Sequence, residues 1–173
     1  MLPRMRTHLR TSAFVLTLAL AAATVPGHTA GTASGTLAYK AKTKDYSVTL
    51  KYSYLIKGPD EVDASLTIRR LILSTADLEK KLAACTTMSC TTTGLEEGIS
   101  IDIGAGPRLN YWVVFNGQLV QYSGTQQPAA LTATADTATR LAGKIVFDAS
   151  QSGGAKIDAQ FDTPLTKMVT KGR

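Results

Sequence analysis

Residues 46–57 read YSVTLKYSYLIK. Tyr46, Val48, Leu50, Tyr52, Tyr54 and Ile56 share one parity, and Ser47, Thr49, Lys51, Ser53 and Lys57 share the other. Leu55 is the one exception. Side chains alternate between the two faces of a β-strand, so this stretch predicts a half-buried strand with one apolar face. The same grammar continues on both sides. In residues 35–42, GTLAYKAK, Leu37, Tyr39 and Ala41 alternate with Lys40 and Lys42. A turn at TKD then predicts an antiparallel hairpin into the quoted strand. After the break GPDE, residues 62–74 alternate through Val62, Ala64, Leu66 and Ile68, then change parity at Arg69–Arg70 to Leu71 and Leu73. A parity change inside a strand predicts a bulge or a second packing surface.

Further strands follow. ISIDI places Ile99, Ile101 and Ile103 on one side. YWVVFNGQLVQYS (111–123) carries Asn116–Gly117, the preferred pair for a two-residue type I′ turn. That turn predicts the pairs Phe115–Gln118, Val114–Leu119, Val113–Val120, Trp112–Gln121 and Tyr111–Tyr122. One face of the hairpin then shows Tyr111, Val113, Phe115, Val120 and Tyr122. The other shows Trp112, Val114, Leu119 and Gln121, which is more apolar than a solvated face requires. LTATAD, TRLAGKIVFDAS and GAKIDAQFDTPL complete the set. One helix is expected at about 75–84, with Ser74 as N-cap and Leu78 and Leu82 one turn apart. No β-α alternation supports a parallel sheet. The expected fold is all-β: an antiparallel β-sandwich or small barrel of about eight or nine strands with one short helix.

The ends bear on location and chemistry. MLPRMRTHLR carries Arg4, Arg6 and Arg10 and no acid, AFVLTLALAAA (13–23) is apolar, and Pro26 leads into small residues up to Ala30. This order predicts a secretory signal peptide over residues 1–30, too short in its apolar run to span a membrane. Residues 31–173 are expected to form one exported β domain, periplasmic or extracellular, with a frayed basic tail at about 166–173. The whole chain has 19 Lys+Arg, 13 Asp+Glu and a net charge of +6. Without the three leader arginines that excess falls to a mild +3, which argues against nucleic acid as a partner. Both histidines, His8 and His28, also lie in the leader. Cleavage after Ala30 therefore removes every histidine-activated nucleophile and every histidine metal ligand. Cys85 and Cys90, spaced C-x4-C, predict a structural disulfide in an oxidising compartment. Gly104-x-Gly106-Pro107 lacks the third glycine of a dinucleotide loop, and no cofactor or metal is expected.

The layout resembles a loose group of small exported bacterial all-β proteins of unknown function. The matching pieces are GTLAYK, LKYSYLI, LILSTADLEKKL, LAGKIVFDA and GGAKIDAQFDTPL, spread over most of residues 35–165. The resemblance implies an envelope protein and brings no catalytic residues with it. A lipocalin-like carrier is a second likeness, resting on fold class. The leading expectation is a non-enzymatic exported domain that binds a protein partner or envelope component through Trp112, Val114, Leu119 and Gln121. The alternative is a small barrel carrying a lipid or other apolar molecule, lined by Tyr46, Leu50, Tyr52 and Tyr54. A hydrolase using carboxylates such as Asp102 or Glu97 ranks third, since Glu96 and Glu97 are adjacent and form no dyad.

Overall fold

Leu55, the exception to the alternation, marks where the central strand changes sides. The structure, a computed structural model, describes residues 29–42 and 44–173, so the expected leader falls almost wholly outside the described residues, as do His8 and His28. Nine strands form one sheet: β1 (Gly31–Lys40), β2 (Asp45–Pro59), β3 (Thr67–Ser74), β4 (Gly98–Ile103), β5 (Leu109–Phe115), β6 (Gln118–Gln126), β7 (Leu131–Asp136), β8 (Arg140–Asp148) and β9 (Ala155–Met168). Their order across the sheet is β6-β5-β4-β3-β2-β1-β9-β8-β7. All neighbouring pairs in that order are antiparallel. Every chain neighbour is therefore also a sheet neighbour except β6 and β7, and β9 returns beside β1. The fold is all-β, antiparallel and not a closed barrel: β6 runs through a 3₁₀ turn at Pro128–Ala130 into β7 without pairing to it. Counting senses along the ladders, β6 and β7 run the same way. They act as one bent strand that passes from one wing of the sheet to the other, a familiar way of turning a corner.

The two wings close over a shared interior. Tyr46 of β2 stacks on Phe115 of β5 at 4.9 Å, and Tyr111 of β5 on Phe147 of β8 at 4.8 Å, although neither pair comes from adjacent strands. Leu37, Leu50, Leu71, Ile101, Val113, Leu141 and Ile157 fill the space between them. A second core lies on the outer face of β2 and β3, beneath residues 75–97, and holds Tyr54, Ile56, Ile68, Ile72, Leu78, Leu82, Met88, Leu95, Val114 and Val169. The middle strands are thus buried on both faces. Along β2, Tyr46, Val48 and Leu50 join the interior, whereas Tyr52, Tyr54 and Ile56 join the outer core and Leu55 takes over inside. The change falls opposite an irregularity in β1, which uses three steps from Thr32 to Gly35 against two steps in β2. Gly35 sits there at φ +146° with its α-carbon pressed on the Ala159 backbone, a position no side chain fits.

Several expectations need correction. The β2–β3 register runs unbroken from Tyr52–Ser74 to Pro59–Thr67, so Arg69–Arg70 marks no bulge. Both faces of β3 are simply buried, and Val62 and Leu66 belong to the exposed loop before it. The helix is shorter than expected: α1 spans Glu79–Ala84, and the Ser74 hydroxyl donates to the Ala76 carbonyl instead of capping it. The tail is docked, not frayed. β9 reaches Met168, and the Val169, Met88 and Ser89 amides donate to the carbonyls of Lys57, Lys171 and Gly172. Beyond the start of β1, β2 and β9 close up and pair in parallel through Leu55–Leu165 and Lys57–Met168. Cys85 and Cys90 are disulfide-bonded, as the spacing predicts.

Tyr54 ties the outer cover to the sheet. Its hydroxyl donates to Asp77 Oδ1 at 2.8 Å and accepts the Leu78 amide at 2.6 Å, which fixes the entry to α1. Burial pushes this phenol far above its ordinary value of 10.0, so it stays protonated as a donor. Tyr54→Phe keeps the ring and orphans the Leu78 amide. It should cost about 1–2 kcal/mol in urea unfolding and speed amide exchange over residues 78–84 before the sheet is affected; unchanged exchange there would contradict the tether.

Candidate functional site

Strand β4 reads ISIDI, and on a half-exposed sheet Ser100 and Asp102 would face water. Instead both are buried, 1% and 3% exposed. They lie in the outer face, paired across strands with Trp112 and Asn110 of β5, while Asp102 pairs with Arg70 of β3. Arg70 is itself 3% exposed. Its Nε and one terminal nitrogen donate to the two Asp102 oxygens at 2.7 and 2.9 Å. The other terminal nitrogen donates to Glu61 Oε1 at 2.6 Å and to the Met88 carbonyl at 3.0 Å, with the Thr91 hydroxyl at 3.4 Å. The guanidinium lies 5.7 Å from the Trp112 ring centre, within cation–π range. Burial alone would lower the Arg70 pKa, but Asp102 and Glu61 outweigh it and hold the side chain charged. Burial pushes Asp102 up, and the guanidinium offsets this only in part.

Above this floor is a cleft of about 530 Å³. Its walls come from the loop after β2 (Asp60, Glu61, Val62), from residues 92–96 of the cover, and from Trp112, Val114 and Leu119 of the hairpin. Arg173 of the docked tail also reaches it. Trp112 is half-buried, Val114 is covered by the 75–97 segment, and Leu119 is 47% exposed. Ser100 lies in the cleft floor, and its buried Oγ has no hydrogen-bond partner among the described residues.

Three of the four residues expected to form a patch therefore share one cleft; Gln121 does not. Asn116 and Gly117 adopt the positive φ of a type I′ turn, and Phe115–Gln118 and Val114–Leu119 pair as the turn predicts. The register then shifts, to Val113–Gln121 and Tyr111–Gly124. The Tyr111 ring lies on Gly124, leaving no room for a side chain there, and Ser123 takes φ 43° to make the bulge. Gln121 thereby turns to the Tyr111 hydroxyl and the Ala155 amide, bridging β6 to the start of β9. The Tyr122 side chain lies outside the described residues. The four residues expected to line a carrier cavity are not brought together either. Tyr46 and Leu50 face the filled interior, and Tyr52 and Tyr54 face the outer core. Glu97 lies away from Asp102, within reach of the Thr75 hydroxyl and beside a smaller groove next to α1.

Sequence reasoning missed Arg70 as the centre of this site. Its signal was there: an arginine on the parity of Ile68 and Ile72, facing a strand whose second parity is Ser100 and Asp102. Among the described residues no group of three Cys, Asp or Glu side chains is arranged to hold a metal, and no helix is long and apolar enough to cross a membrane. No family model matches the chain, and no curated protein or solved structure is significantly similar to it. The resemblance to small exported β proteins rests on strand pattern alone.

Removing one partner of a buried, bidentate ion pair strands the other charge. Arg70→Ala should therefore destabilise the protein by about 3–5 kcal/mol. The double variant Arg70→Met, Asp102→Leu should recover much of that loss in denaturant unfolding. A double variant as unstable as Arg70→Ala would show that the charges matter for something other than their mutual pairing.

Proposed function

We propose that the protein is an exported, non-enzymatic binding domain that engages a partner in the cell envelope or outside the cell through the cleft beside Trp112. The observation that carries this reading is the cleft itself: a half-buried tryptophan and exposed Leu119 and Val62 around a polar floor that the fold leaves open. Aromatic anchors in partly desolvated pockets are where binding energy concentrates. The volume lies in the range of ligand-sized sites. The disulfide supports residence in an oxidising compartment.

A binding role fits the floor better than a catalytic one. Asp102 and Glu61 are the carboxylates closest in role to a dyad, but one guanidinium bridges them. Both Asp102 oxygens are taken by Arg70, so Asp102 is not free to act as a general acid or base in the cleft.

A photo-reactive benzoylphenylalanine in place of Leu119 should cross-link a partner in the native host's envelope fraction. The same group in place of Val146, exposed on β8 away from the cleft, should not. The Leu119 product should disappear when Trp112→Ala is added in a protein that still melts cooperatively. Cross-links that persist in Trp112→Ala, or that form equally from position 146, would overturn the cleft as the binding site.

A further inference from the structure

We infer that the group received by this cleft is a lysine or arginine side chain of a partner polypeptide, presented with apolar residues beside it. The inference rests on the binding reading above and adds the chemistry of the occupant. Its first support is charge. Asp60, Glu61, Glu96 and Asp102 line the cleft against Arg70 and Arg173. The Arg70 charge is already balanced by two carboxylates that it touches, Asp102 and Glu61. The field in the cleft is therefore negative.

The second support is the Ser100 hydroxyl. Ser100 lines the cleft, and its Oγ is buried and lacks a partner among the described residues. A buried polar group is costly to leave unsatisfied, and such groups are rare in folded proteins. Ammonium and guanidinium groups are pure donors. With a small shift of the floor side chains, one of them would give Ser100 Oγ the hydrogen bond it lacks and would lie beside Trp112, whose ring already holds the Arg70 guanidinium at 5.7 Å. The third support separates a polypeptide from a small free cation. Val62, 90% exposed, and Leu119, 47% exposed, flank the cleft, and a lone amine would leave both in water. Apolar residues on either side of an inserted basic side chain would cover them.

Trp112 is the only tryptophan in the chain, so its emission reports directly on the cleft. The purified, oxidised protein would be titrated with acetyl-Leu-Arg-Leu-amide, with the same peptide carrying Gln or Glu in place of Arg, and with N-acetylarginine amide. The Arg peptide should give a saturable change that weakens as salt is raised. The Gln peptide should bind about tenfold more weakly, and the Glu peptide should not bind. Glu96→Gln, at an exposed position, should weaken the Arg peptide about threefold. Ser100→Ala should also weaken it while the free protein melts no lower, an outcome that a merely structural serine would not give. Equal binding of the Gln and Arg peptides would overturn the basic side chain yet leave the cleft as a binding site. N-acetylarginine amide binding as tightly as the Arg peptide would overturn the polypeptide occupant. If no peptide alters the emission, the inference fails, and the cross-linking experiment alone decides whether the cleft binds a partner.

Discussion

A single buried charge organises the outer half of this molecule. A guanidinium taken out of water costs several kcal/mol unless its hydrogen bonds are replaced. Arg70 finds replacements in three separate parts of the chain: Asp102 on the neighbouring strand, Glu61 in the loop after β2, and the Met88 carbonyl and Thr91 hydroxyl in the cover. Those segments have little else in common. The cover contributes one six-residue helix, a short 3₁₀ turn, the Cys85–Cys90 disulfide and a few apolar side chains. Its position follows from what it must satisfy: Arg70 at one end and the Tyr54 hydroxyl at the other. The docked tail adds a strap, because the Met88 and Ser89 amides on the same cover accept no freedom once they donate to Lys171 and Gly172.

This arrangement explains which parts of the fold could be read from the sequence. Strand periodicity reports one buried face at a time, so the flanking strands and the all-β class were legible. β2 and β3 bury both faces, and there the pattern degenerates into runs such as YLI and LIL that alternation cannot assign. Leu55 and the Arg69–Arg70 pair were the places where the one-face description failed. The first marks a true change of side. The second marks two arginines on opposite faces: Arg69 toward Asp136 of β7, Arg70 into the outer core. Deciding between those readings needs the partners, and Asp102 and Asp136 lie 32 and 67 residues away.

The hairpin divides the same way. Asn116–Gly117 specify a local turn with positive φ at both positions, so the first two pairs follow from chemistry within four residues. The later register depends on the Tyr111 ring needing a glycine opposite it and on Gln121 having a distant amide to accept, neither of which is periodic. Trp112 was legible as a residue out of place on a supposedly solvated face. Its real setting, half under a cover pinned to Arg70, was not. The tail looked frayed because its sequence is basic and carries a single buried apolar residue, Val169, and much of its docking is made by main-chain groups that any sequence possesses.

The cleft is a consequence of how the cover is attached. Its early part is fixed at Met88 and Thr91 on Arg70, and its late part at Glu96, whose carbonyl accepts the Gly117 amide at the hairpin tip. Immediately after that, Gly98 enters β4 opposite Val114. Residues 92–96 bridge these fixed points, Leu95 packs in one cluster with Val114, and the segment shares the cleft lining with Ser100 and Trp112. A shorter bridge would break one attachment. A descent onto the floor would carry backbone groups into a region whose carboxylates are already committed to Arg70. The unpartnered Ser100 hydroxyl is thus a product of the same constraint that holds the cover in place. No described residue satisfies it. Local violations of otherwise consistent packing concentrate at functional sites, and this one lies beside the only tryptophan in the sequence.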